Sequence, residues 1–140
     1  MTTHLLYLHG FRSSPRSAKA LRMAEWSQAH APRVTWWSPQ LPASPAEAIG
    51  MLSKGVASWP VQRMAIVGSS LGGFYATVLA ERLACNAVLL NPAVDPARDL
   101  QEQVGVHKTW HGGERFEFLP SHLDELRDMA PPAQLRCPQN

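Results

Sequence analysis

Ser70 is the side chain in this sequence best placed for covalent chemistry. It is the middle residue of Gly68-Ser69-Ser70-Leu71-Gly72, with an apolar run from Met64 to Val67 before it and helical spacing after it. A helix N-terminus directly behind a buried strand gathers unpaired N–H groups and the positive end of the helix dipole at one point. A serine in that turn projects its hydroxyl beyond the strand end, where developing negative charge is stabilised. Gly68 and Gly72 suit a sharp nucleophile elbow, in which strand and helix backbones pass close together. Ser70 is therefore a candidate nucleophile for acyl transfer, with Ser69 at the variable position. A glycine-rich turn without chemistry is the alternative reading of the same five residues.

A second motif serves the same chemistry. Tyr7-Leu8-His9-Gly10-Phe11 ends the first apolar run, and His-Gly loops of this kind supply a backbone N–H to an oxyanion hole. The Phe11 N–H is the expected donor from this loop, and the Leu71 N–H, just after the serine, is the other. The His9 ring is expected to bond nearby backbone in a structural role.

These pieces meet only if the chain folds in a particular way. Short apolar runs alternate with amphipathic stretches, the pattern of an α/β protein with a parallel sheet. Strands are expected at His4–Gly10, Val34–Trp37, Arg63–Ser69 and Asn86–Pro92. The first helix follows Ser14 or Ser17 as cap. Ser44-Pro45-Ala46-Glu47 is a capping box with proline at the first helical position, and Ile49, Leu52 and Val56 continue that helix. Leu71, Phe74, Tyr75, Val78, Leu79 and Arg82 mark one face of an amphipathic third helix. With the first and third strands adjacent, and the second on the far side of the first, the two loops flank the switch point where α/β sheets bind ligands. Past residue 95 the signals thin. One or two helical turns are expected in 95–106, then a loop with a short extended piece in 107–118. A helix follows over Ser121–Ala130, with Ser121 as cap and Asp124 at the capping-box position.

Four stretches, "LLYLHGFRSSPRSAKA", "PQLPASP", "IVGSSLGGFYAT" and "LLNPAV", resemble the YqiA-type bacterial esterases of the α/β-hydrolase superfamily, in order and with matching spacing from Leu5 to Val94. The resemblance implies a three-layer α/β sandwich with a mainly parallel sheet, in one domain over 1–140, with 95–130 as a cap or covering segment. It implies a serine hydrolase, carboxylesterase-like, cleaving short or medium acyl esters through a Ser70 acyl-enzyme. Phe11 and Leu71 would be its oxyanion donors, and no cofactor is implied.

In such hydrolases the acid and then the base histidine follow the serine on later strands. Those strands would lie beyond residue 135, and this sequence ends at Asn140. The expectation is a family member truncated at the C-terminus, weakly active because its triad is incomplete. The alternative is a non-catalytic module that binds a ligand or partner at the same crevice. Asp95 and His122 are the tentative acid and base, although Asp95 also reads as a turn residue and His122 as a surface or capping histidine. His107 and His111 have i, i+4 spacing with Glu114 nearby, a conceivable metal pair. Gly112-Gly113 argues against a helix there, and no metal is expected.

Bulk properties exclude other classes. The 140 residues make one domain, and 45% hydrophobic with 17% charged residues reads as globular rather than disordered. A net charge of +2 without a basic stripe argues against nucleic acid. The N-terminus has no basic region and an apolar run of only Leu5 to Leu8, so neither a signal peptide nor a membrane span is expected. Cys85 and Cys137 read as reduced thiols of a cytoplasmic protein. The fourth strand is expected to be an open edge, covered by 95–130 or by a second copy of the chain in a homo-oligomer.

Overall fold

The computed structural model describes residues 1–132. Its central strand, β1 (His4–Leu8), is apolar at successive positions because both of its faces are covered, and Leu6, Tyr7 and Leu8 are all buried. It pairs in parallel with β2 (Thr35–Trp37) on one side and β3 (Met64–Ser69) on the other. β4 (Asn86–Leu90) lies beyond β3, giving the order β2-β1-β3-β4. The adjacency of first and third strands expected from the sequence is therefore present. Leu6, Ile66 and Ala87 are in register, as are Tyr7, Val67 and Val88. Successive residues point to opposite faces, so these two rows belong to different layers.

On the face of Tyr7 and Val67 lies α1 (Ala18–His30), whose N-cap Ser17 accepts the Ala20 N–H. Ala20 and Met23 pack there with Leu5 and Trp36. This layer is thin, and Val88 stays 37% exposed. On the opposite face, Leu6, Leu8, Ile66 and Ala87 meet α2 (Pro45–Gly55), α3 (Leu71–Leu83) and α5 (Pro120–Asp128), burying Leu52, Leu79 and Leu126. The result is the expected three-layer sandwich with a parallel sheet. As the capping box requires, Ser44 accepts the Glu47 N–H and Pro45 opens α2.

The third helix is not amphipathic in place. Every residue from Leu71 to Glu81 is buried, because α3 packs on β1, β3, β4 and α2 at once. A helix enclosed on all sides has no need of a polar face.

The segment past β4 departs from expectation in two ways. After one turn of helix, α4 (Pro96–Asp99), residues 107–118 form more than a loop. β5 (Gly105–Lys108) and β6 (Arg115–Phe118) make an antiparallel hairpin. Gly112 and Gly113, at φ 98° and 65°, carry the turn. Secondly, α5 begins at Pro120, so Ser121 is inside the first turn and Leu119 occupies the cap position. Proline favours the first helical position, and the His122 ring, at the third helical position, does the work expected of Asp124 by accepting the Leu119 N–H at 2.9 Å. Asp124 pairs with Arg127 at the surface instead. β4 forms the outer edge of the sheet. α4 packs on α5 and α5 on α2, and among the described residues no strand pairs with that edge.

Glu125 ties α5 to α2. Its carboxylate accepts from the Ser44 hydroxyl at 2.6 Å and from the Ala46 N–H at 2.9 Å, at the N-terminus of α2. Burial opposes its ionisation, but these two bonds and nearby His122 outweigh burial and hold the carboxyl below its ordinary range. Cys85 is buried, and Cys137 lies outside the described residues. No helix among the described residues is long and apolar enough to cross a membrane.

Candidate active site

Ser70 is an exposed residue between β3 and α3, and its backbone is at φ 54°, ψ −117°. A non-glycine residue there is strained, a state that persists only where the surroundings enforce it. They do so here through both backbone groups. The Ser70 N–H donates to Leu90 O at 3.1 Å, and its carbonyl accepts from the Gly73 and Ala93 N–H groups at 3.0 and 2.9 Å. The turn is thus held between α3 and the end of β4. Its glycines are required by close approach. A Cβ on Gly68 would lie 2.1 Å from Gly72 O, and one on Gly72 would lie 2.1 Å from Leu8 O.

The loop after β1 faces this turn. A Cβ on Gly10 would be 3.3 Å from Ser70 Cβ and 3.9 Å from its hydroxyl oxygen. The N–H groups of Phe11 and Leu71 have no acceptor among the described residues. His9 is buried and engaged at both ring nitrogens: Nε2 accepts the Leu41 N–H at 2.9 Å, and Nδ1–H donates to Gly10 O at 2.8 Å. This tautomer is the neutral one. Burial pushes the ring below the ordinary histidine range, against the opposing pull of the Gly10 carbonyl.

His9 and Glu125 therefore act in the same direction on acidification. Each has a folded-state pKa below its unfolded one, so each contributes stability that is present above the unfolded pKa and lost as pH falls through the folded one. Urea midpoints are expected to decline as pH drops below about 6.5, the ordinary histidine value, and to decline further in the carboxylate range. His9→Asn should flatten the upper part of that decline. A midpoint that rises between pH 7 and pH 5 would overturn this reading.

A cleft of about 510 Å³ opens over Ser70, with Tyr7, Gly10, Lys19, Trp110 and His111 on its walls. The last two come from the turn of the β5–β6 hairpin, which two arginines fasten to the loop after β1. Arg12 Nε donates to Lys108 O at 2.9 Å, and its guanidinium lies 3.9 Å from the centre of the Trp110 ring. Arg16 donates to His111 O at 3.1 Å. Phe11 fills the angle between loop and hairpin, with its ring centre 5.2 Å from those of Phe116 and Phe118.

The other predicted residues are placed elsewhere. Asp95 is exposed, caps α4 through the Arg98 N–H and forms a 3.9 Å ion pair with the Arg98 side chain. His122 is buried with its ring committed to Leu119. Neither lines the Ser70 cleft. His107 Nε2 binds Gln103 O at 2.6 Å, so the helical spacing with His111 has no meaning in a strand and its turn. Among the described residues no three metal-binding side chains converge. His111 reaches the cleft, and its buried Nδ1 has no hydrogen-bond partner among the described residues. Lys19, Trp110 and His111 were not foreseen as wall residues. The available signal was the Gly-Gly turn between short alternating runs, a hairpin signature.

With this geometry established, the relatives can be compared. The model of a family described as "Uncharacterised protein family (UPF0227)" matches residues 4–137. The chain belongs to that family. UPF0227 is the YqiA-like group that the sequence resembled. Among solved structures, mouse alpha/beta hydrolase domain-containing protein 10 superposes with a TM-score of 0.72 at 14% identity, over 99% of this chain and 67% of that one. The esterase domain of a Rhodothermus marinus protein gives 0.62 at 20% identity, over 98% and 62%. A structure from the metagenome-derived lipolytic enzymes LipS and LipT gives 0.60 at 18%, over 99% and 70%. At such identities the likeness establishes the fold, and this UPF0227 member has an α/β-hydrolase fold.

Proposed function

We propose that this chain carries the nucleophile half of a serine esterase site, in which Ser70 attacks the carbonyl carbon of a short or medium acyl ester. The observation that carries the reading is the strained backbone of Ser70 at the end of β3, directly before Leu71 and faced by the loop that carries Phe11, two residues whose N–H groups have no acceptor among the described residues. In the reaction, the Ser70 oxygen would add to the ester carbonyl, and the resulting oxyanion would lie between the Phe11 and Leu71 N–H groups. The proton of the Ser70 hydroxyl would pass through solvent water to the leaving oxygen, so collapse would expel the alcohol and leave an acyl-enzyme, which water then hydrolyses to the carboxylic acid and free Ser70. The esterase and lipolytic character of the structural neighbours supports this choice of chemistry.

The second reading is a binding module built on the same cleft. It is favoured by one fact: among the described residues no base is hydrogen-bonded to the Ser70 hydroxyl. A neutral fluorophosphonate probe separates the two. Slow covalent labelling, located on the Ser70 peptide by mass spectrometry and lost in Ser70→Ala, is expected. The expected slowness follows because no base among the described residues bonds the Ser70 hydroxyl, and oxyanion stabilisation and binding alone retain about 10³ to 10⁴ of rate over water. A chain that binds ester ligands but is never labelled at Ser70 would establish the binding module instead.

A further inference from the structure

The charge around Ser70 is unbalanced in a way the esterase reading does not require. Among the residues lining the cleft, Lys19 is the one lysine or arginine, and no aspartate or glutamate is present. Lys19 stands in the first turn of α1, which contains no acidic residue. A cation there opposes the positive end of the helix dipole, so the position is unfavourable for the free helix. Its ammonium nevertheless turns toward the sheet. Nζ lies 3.4 Å from the Ser69 hydroxyl, one residue before Ser70. Through Ser69, the last residue of β3, this contact holds a positive charge at the carboxyl end of that strand, beside the buried Tyr7.

The neighbouring cations are committed to other partners. Arg12 and Arg16 hold hairpin carbonyls, and His9 is kept neutral by the Leu41 N–H on its Nε2. A single ammonium with no acidic partner among the described residues matches a single negative charge. His111 also lines the cleft, and its buried Nδ1 has no hydrogen-bond partner among the described residues, a condition buried groups ordinarily avoid.

We propose that the Ser70 cleft selects esters that carry a carboxylate, with Lys19 as the residue that binds that group. This rests on the esterase reading for the word ester, but the anion preference is testable apart from it. Monomethyl glutarate and dimethyl glutarate differ by one negative charge and share a carbon skeleton. Their binding to the Ser70→Ala chain, which cannot form an acyl-enzyme, is followed by NMR titration. The monoanion should bind roughly ten-fold more tightly, the worth of one charge-assisted hydrogen bond. Lys19→Met should erase the difference, and Lys19→Glu should reverse it. Both are exposed-site changes, and an unchanged melting temperature confirms their fold.

Equal affinity for the two esters, or a preference that survives Lys19→Met, overturns the proposal even where Ser70 is labelled by the neutral phosphonate. A Lys19-dependent preference in a chain whose Ser70 is never labelled upholds the carboxylate site and rejects the serine chemistry.

Discussion

Gly72→Ala is expected to leave little folded protein. The added methyl would lie 2.1 Å from Leu8 O, 2.6 Å from His9 O and 2.6 Å from the Leu8 carbonyl carbon. All three atoms are backbone at the end of β1, the central strand, so no side chain can rotate away to make room. Relief requires the start of α3 to lift off the sheet, and α3 is buried along Leu71–Glu81. The cost should exceed about 4 kcal/mol, in the range reached only by a few mechanisms, and it consumes much of a typical domain's stability of about 5 to 15 kcal/mol. Gly50→Ala is the matched control. It lies within α2, and nothing comes within 4 Å of its added methyl. There the alanine should stabilise by about 0.5 to 1 kcal/mol, because glycine is the poorer helix former. Urea midpoints of the two variants should therefore move in opposite directions. A Gly72→Ala midpoint equal to the parent's would refute the close-packed elbow.

Phe118→Ala is expected to be the costliest change in the hairpin. The ring is 1% exposed and sits against Phe11 and His122, with centres 5.2 and 5.5 Å away. Removing a buried phenylalanine costs about 3 to 5 kcal/mol, counting both lost transfer energy and the cavity. The consequence reaches the cleft, because Phe11 loses a wall and the two arginine bonds to the hairpin lose their support. Limited proteolysis should cut within 105–118 faster than in the parent chain. Phe118→Leu, which keeps most of the volume, should cost less than about 1.5 kcal/mol. An alanine variant that melts within about 2 °C of the parent, equivalent to less than about 1 kcal/mol, would show that the hairpin is only loosely docked.

Local patterns carried most of the fold. Capping by Ser17 and Ser44 and the apolar runs of β1, β3 and β4 depend on residues close in sequence. So does the elbow, since Gly68, Ser70 and Gly72 lie within five positions. Its partner loop was legible because His9-Gly10-Phe11 ends a recognisable strand, and the parallel order of β1 and β3 then brings the two together. Reading failed where long-range contact overrides local signal. A proline at position 120 and a histidine ring at 122 displaced the expected serine cap at 121. Four-residue strands were too short to announce a hairpin, and i, i+4 histidines suggested a pair that a strand pulls apart.

What the sequence determined by itself is the strand-to-helix turn at Ser70, its glycines and the loop that faces them, because a turn between adjacent elements is a local problem of backbone sterics. Only the tertiary structure decided what surrounds that serine. The arginines of the first loop reach nearly a hundred positions along the chain to fasten the hairpin. The same packing draws Asp95 and His122 into capping duties away from the cleft and leaves Lys19 as the one lysine or arginine lining it. Contacts at that separation are set by the packing of layers, for which no short stretch of residues carries a signal.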